Sequence, residues 1–184
     1  MALQEYTDLA TMRTYLGLNA ATQFDSLLQD AITSGSREVD KRCNRYFGRE
    51  AAVSSRTFDV EASGILFVDD IAEPEPIEVS GLTGFLALPR NGVVDGITGH
   101  PITRLKSPYF CEGDSVTVTA VWGWPDVPEV VREACKMIAA ETFMQKDTPL
   151  GIKSMDEFGS VRLRERQHIR DKLSLYTKYR IVGM

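Results

Sequence analysis

Two histidines, three cysteines and one crowded run of carboxylates are the side chains here that could carry chemistry. Histidine titrates near neutrality, which makes His100 and His168 the natural candidates for a general base. One falls in an expected loop beside β-rich sequence and the other in an expected C-terminal helix, and a lone loop histidine reads as a surface residue. Asp69 and Asp70 could form a carboxylate pair, yet neighbours on a strand point to opposite faces. Calcium would need oxygen ligands at ordered intervals. Asp69, Asp70, Glu73, Glu75 and Glu78 lack the EF-hand spacing, so they read as a solvated acidic rim and no metal is expected. Cys43, Cys111 and Cys135 are odd in number and never form a CxxC pair. For the two in helical patterns, Cys43 and Cys135, a buried reduced thiol is expected. No G-x-S-x-G elbow, Walker loop, H-E-x-x-H pair or Rossmann glycine fingerprint occurs. The sequence therefore predicts no enzyme, no cofactor and no catalytic residue.

The elements that would position any site are clearer. In QFDSLLQDAITSGSREVDKRCNRYFG (23–48), Phe24, Leu27, Leu28, Ala31, Ile32, Val39, Cys43 and Tyr46 fall on one helical face. Thr22 is a candidate cap with Asp25 three residues on, and Gly48 a candidate left-handed stop, giving a helix over about 23–47. Ser34-Gly35-Ser36 interrupts it, either as a tolerated weak point or because another backbone approaches closely. Arg37, Lys41 and Arg45 recur at i, i+4 and i+8 and predict a basic ridge, either solvated or facing an acidic surface. Before this helix, a short one over about 7–16 has Thr7 as cap and Gly17 as stop. A third, over about 127–146, opens with a D-x-x-E pattern at Asp126 and Glu129. It predicts a buried face of Val130, Ala134, Met137, Ile138 and Met144 packed on the long helix, with Ala139, Ala140 and the bulkier Phe143 on the far side.

Between the helices the period changes. RTFDV (56–60), GILFV (64–68), PIEVSGL (76–82), FLALP (85–89), ITRL (102–105) and SVTVTAVWG (115–123) are short, β-branched or aromatic, and separated by Gly, Pro or acidic residues. They predict a small antiparallel β unit inserted over about 51–123, with Trp122 and Trp124 as core plugs at its exit. The fold class is thus α+β: a helical bundle core with an inserted β unit. Residues 1–150 form the main domain and 151–184 an extended C-terminal arm ending in a helix. Residues 147–165 have no sustained period, whereas the closing RQHIRDKLSLYTKYR puts Ile169, Leu173 and Tyr176 on one side.

Bulk properties are ordinary for a soluble globular chain, with 43% hydrophobic and 26% charged residues. No apolar run is long enough for a membrane span, and the first ten residues lack the basic and apolar regions of a signal peptide, so synthesis in the cytosol without a membrane partner is expected. The net charge of −5 is uneven. Residues 1–125 hold 10 basic and 17 acidic groups, whereas 162–180 hold seven and two. Overall acidity argues against a protein whose task is to grip nucleic acid, but not against one that lets it pass.

Taken together, the order of motifs resembles the tailed-phage head–tail connector family, also called adaptor or head-completion proteins. A short helix ends in YLGL; a long helix follows with LLxxAI and SxxVDxRCNRYFGR. After the β segment comes V-x-V-x-A-x-W-G-W-x-x-V-P-x-x-V, leading into an alanine-rich helix. The resemblance spans residues 9–145, and the long β insertion is similar to that of the larger members.

That resemblance implies a structural virion protein, assembled in the host cytoplasm and located at the head–tail junction. By analogy with portal symmetry, about twelve copies would close a homo-oligomeric ring under the portal. Double-stranded DNA would pass through its lumen without sequence specificity, and the next connector or stopper protein would bind below. A closed ring uses two different lateral faces, for which the basic ridge Arg37, Lys41, Arg45 and the acidic Asp69, Asp70, Glu73, Glu75 are oppositely charged candidates. The basic arm, with Arg162, Arg164, Arg166 and Arg170 beside Ile169, Leu173 and Tyr176, would either pack on its own domain or dock on the portal or a neighbouring subunit. Two other readings stand beside this one: another junction ring, such as a stopper or tail-completion protein, and a DNA-binding regulatory module that uses the long helix and basic C-terminal segment.

Overall fold

The computed structural model describes residues 4–18, 22–73, 76–89, 99–145 and 167–178. The fold is α+β and divides into two compact units, one of Met1–Tyr46 with Pro128–Met184 and one of Phe47–Val127. The β unit is thus an insertion between helices, four residues wider at each end than the sequence suggests.

In the helical unit, α1 spans Leu9–Tyr15. Asp8, not Thr7, is its cap: the Thr11 amide and hydroxyl donate to the two Asp8 carboxylate oxygens at 2.8 Å each. Gly17, at φ +70°, ends it as expected. A 3₁₀ turn over Thr22–Phe24 leads into α2, Asp25–Cys43. Phe24 occupies the cap position without a side-chain bond, so the expected Thr22 cap does not form. Asp25 instead pairs with Arg13 of α1, whose Nε donates to it at 2.9 Å. At its other end α2 stops four residues earlier than Gly48 would suggest, because Asn44 takes the left-handed conformation (φ 49°). Asparagine tolerates that region better than other side chains, and the turn is closed by the Arg45 amide donating to the Asp40 carbonyl at 3.1 Å.

Helix α3 spans Glu129–Met144. Pro128 holds its N-cap position and its carbonyl accepts from the amides of Val131 and Arg132; the D-x-x-E cap at Asp126 is not used. Its buried face is Val131, Ala134, Cys135, Ile138, Ala139 and Phe143, rotated from the expected one. Met144 is exposed, as is Leu27 of α2, contrary to their expected burial. The cause is the seam with α2. A Cβ on Gly35 would stand 3.2 Å from the Ala139 Cβ and 3.2 Å from the Cys135 carbonyl oxygen, so this approach needs small side chains on both helices. Of the two readings of Ser34-Gly35-Ser36, close backbone approach is the one realised. Ser36 is satisfied there by Ile32 O (2.9 Å) and Cys135 Sγ (3.4 Å).

Residues 167–173 form a further helical segment, α4, continued by a 3₁₀ turn over Ser174–Tyr176. Ile169, Leu173 and Tyr176 are buried. The Lys178 amide donates to Cys43 O at 2.8 Å, and Lys172 Nζ to Glu133 of α3 at 2.6 Å.

In the β unit, six strands appear where the six apolar runs predict them: β1 Ser54–Asp59, β2 Ile65–Ile71, β3 Glu78–Val79, β4 Leu86–Leu88, β5 Ile102–Lys106 and β6 Ser115–Ala120. They form two three-stranded antiparallel sheets, β1–β6–β3 and β2–β5–β4, with one core that includes Leu66, Val68, Leu105, Val118 and Trp122. Trp122 and Trp124 are each 1% exposed, as core plugs should be. Both indole N–H groups are satisfied, Trp122 by Ser54 O (2.8 Å) and Trp124 by Asp70 Oδ2 (3.1 Å). Between them Gly123 adopts φ +112°, and a Cβ there would stand 2.0 Å from the Gly48 carbonyl oxygen. Only glycine fits this crossing.

Candidate assembly interface

The charged residues singled out from sequence do not form two open faces. Arg37 is turned onto its own unit, where its guanidinium lies 5.6 Å from the Tyr6 ring centroid and 5.5 Å from that of Tyr46. It pairs with Asp40 at 3.0 Å and donates to Gln4 O at 2.6 Å. Around it the N-terminal segment is tied to α2: the Gln4 amide donates to the Tyr46 hydroxyl, the Tyr6 amide to Ser36 Oγ, and Glu5 accepts from Gln29 and Thr33. Lys41 is exposed on α2. Arg45 lies beyond the left-handed Asn44, off the helical repeat, so the ridge is a two-residue feature of the helix.

The acidic residues divide likewise. Asp69 and Asp70 point to opposite sides, as strand geometry requires. Asp69 pairs with Arg56 at 2.7 Å, and Asp70 is buried under Trp124. Arg56 also pairs with Glu50 at 2.6 Å and lies 4.6 Å from the Trp122 ring centroid. Glu73 pairs with Arg49. Glu75 lies outside the described residues.

Of the arm, Arg162, Arg164 and Arg166 lie outside the described residues, and Arg170 is exposed. The apolar stripe Ile169, Leu173, Tyr176 is covered within the chain's own helical unit. An open groove of about 420 Å³ beside it is lined by Tyr15, Leu16, Met137, Ala140, Glu141 and Met144 as well as Ile169.

Groups that could do chemistry are dispersed. Among the described residues no three His, Cys, Asp or Glu side chains converge on a metal position. His168 is exposed, and His100 is half-buried with its ring 5.5 Å from that of Trp124. Cys43 and Cys135 are buried while Cys111 is exposed. Burial pushes the Cys43 thiol up to about 11 and raises that of Cys135 as well, which disfavours the reactive thiolate. No described helix is long and apolar enough to cross a membrane.

One surface was not singled out from sequence. In ITRLK the alternation turns Leu105 inward and leaves Arg104 and Lys106 outward on β5. That signal was present in the sequence, but two cations separated by one residue do not stand out as a charge run.

No family model matches the sequence, and no curated protein matches it. The fold is similar to that of a chain in the neck of an empty gene transfer agent (GTA) particle computed with C6 symmetry. The TM-score is 0.54 at 13% identity, and the match covers 100% of this chain and 99% of that chain. At this identity the likeness is one of fold.

Proposed function

We propose that this chain is a structural subunit of the neck of a phage-like particle, closing a ring at the head–tail junction around the path of the DNA. The observation that carries the reading is the end-to-end fold match with a neck chain, which leaves almost nothing of either chain unmatched. The side chains support it: Arg37, Asp69, Asp70 and Glu73 are engaged within the chain's own units, and the described reactive groups are scattered. Rings of six copies, or a multiple such as twelve, are compatible with the symmetry of that neck. The partners in this reading are further copies of the chain, the portal above and the next connector or stopper below. Double-stranded DNA crosses the lumen without sequence specificity. A place elsewhere in the neck, as a stopper or tail-completion ring, is the second reading, because a likeness to a neck chain fits either position.

Within this proposal Lys41, exposed on α2, is the described member of the basic group that faces solvent for a lateral contact, whereas Asp69 and Glu73 reach such a contact already paired with Arg56 and Arg49. The basic part of the arm, including Arg170, is the candidate contact to an acidic portal or subunit surface. Electron microscopy of the protein with its portal tests the reading. A closed ring seated on the portal supports it, and a chain that remains monomeric and unbound in the presence of portal contradicts it.

A further inference from the structure

The outer face of the β2–β5–β4 sheet is a small surface of mixed character. Across the strands Lys106 stands between Ile65 and Leu86, and Arg104 between Phe67 and Leu88. Directly opposed residues of antiparallel strands share a face, so these six side chains form one patch. Phe67 is 43% exposed, and Arg104 and Lys106 are exposed. Arg49 and Arg56 of the same unit are each paired with a carboxylate; Arg104 and Lys106 have no ion-pair partner among the described residues.

The same unit has a second surface of opposite charge. Where β1 ends and β6 begins, the Val60 amide donates to Asp114 O and the Gly113 amide to Val60 O. These bonds gather the exposed carboxylates Asp59, Glu61, Glu112 and Asp114 at one end. Asp59 accepts from the Ser115 hydroxyl at 2.6 Å, and none of the four has a cationic partner among the described residues. Tyr109, 68% exposed, projects from the same β5–β6 loop.

We infer that these two surfaces recognise each other between copies: the acidic end of one β unit, with Tyr109, docks on the Arg104/Lys106 face of the next. The inference rests on the ring reading above and gives it a specific contact. The two surfaces are complementary in charge and both carry exposed apolar side chains, yet they do not neutralise each other within the chain. A face meeting an end is a heterologous contact, the kind that closes rings.

The test uses the full-length chain and two charge-reversed variants, R104E/K106E and D59K/E61K/E112K/D114K, the second reversing all four carboxylates of the acidic end. All the substituted side chains are exposed, and thermal melting checks that each variant folds. Sedimentation and negative-stain microscopy at low and high salt measure association. Each variant alone opposes like charges and should associate at least about tenfold more weakly than the parent. Mixed, the variants regain opposite charges at every contact and should form alternating assemblies. Carbodiimide coupling of a mixture of ¹⁵N-labelled and unlabelled parent chains should join Lys106 of one copy to Glu112 or Asp114 of another. Parent rings without that inter-chain link, or rings formed equally well by each variant alone, would overturn this pairing and leave the ring reading standing. A parent chain that neither associates nor cross-links between copies at any concentration, with portal present, would overturn both.

Discussion

The helical unit and the β unit solve the same packing problem with opposite materials. Where α2 meets α3 the seam is made of Gly35, Ser36, Cys135 and Ala139, so two backbones come close and large side chains are kept out. The β unit is filled by large side chains, branched aliphatics such as Leu66, Ile71 and Leu105 around Trp122, with Phe47 packed on Trp124 at a centroid distance of 5.0 Å. Their charges differ too. In the helical unit ion pairs tie elements together, α1 to α2 through Arg13–Asp25 and α3 to α4 through Glu133–Lys172. The β unit pairs Arg49 and Arg56 but leaves a basic face and an acidic end open. Charged residues that look like interface signals in sequence can be internal fastenings. Those that remain open are found only after the pairing is known.

Gly123→Ala places a Cβ 2.0 Å from the Gly48 carbonyl at a positive φ, and we expect a loss of about 4 kcal/mol or more, read as failure to give a cooperative melt. On the helical side, Leu173→Ala removes a side chain only 2% exposed and should cost about 2–5 kcal/mol in chemical denaturation. Truncation after residue 159 should lower the melting temperature at least as much. An unchanged melting temperature would assign the α4 stripe to a partner. Arg37→Ala, which loosens the N-terminal segment from α2, should cost about 1–2 kcal/mol. No loss would return Arg37 to the intermolecular ridge.

Arg13 holds the Asp25 carboxyl below its ordinary range, and Lys172 does the same for Glu133. A carboxylate depressed in the folded state adds stability that is full above its unfolded pKa and lost as the pH falls through the folded value. Stability should therefore be flat near neutrality and decline below about pH 4. Asp25→Asn should flatten part of that decline. Thiol labelling gives the smallest perturbation: one cysteine, Cys111, should react in the native chain and three after unfolding.

The β unit was legible in sequence because period-two alternation and Gly or Pro punctuation are local signals, and all six strands lie where they point. Helix ends were less so. The left-handed turn at Asn44 depends on how the following residues leave the helix, and Gly48 offered a more conventional stop. The α3 face was misjudged because large residues such as Met137 and Met144 look like core, whereas the seam with Gly35 required Cys135 and Ala139. The lateral charges were least legible of all. Neither the Arg37 stack on Tyr6 and Tyr46 nor the Arg56 pairing with Glu50 and Asp69 can be read from linear spacing.

Cryo-electron microscopy of phage-like particles purified from cells that produce this chain decides its place. Density for the chain is expected in a closed ring at the head–tail junction, surrounding the DNA path, with a copy number of six or a multiple of six. The chain found anywhere else in the particle, or absent from it, would rule out a neck ring.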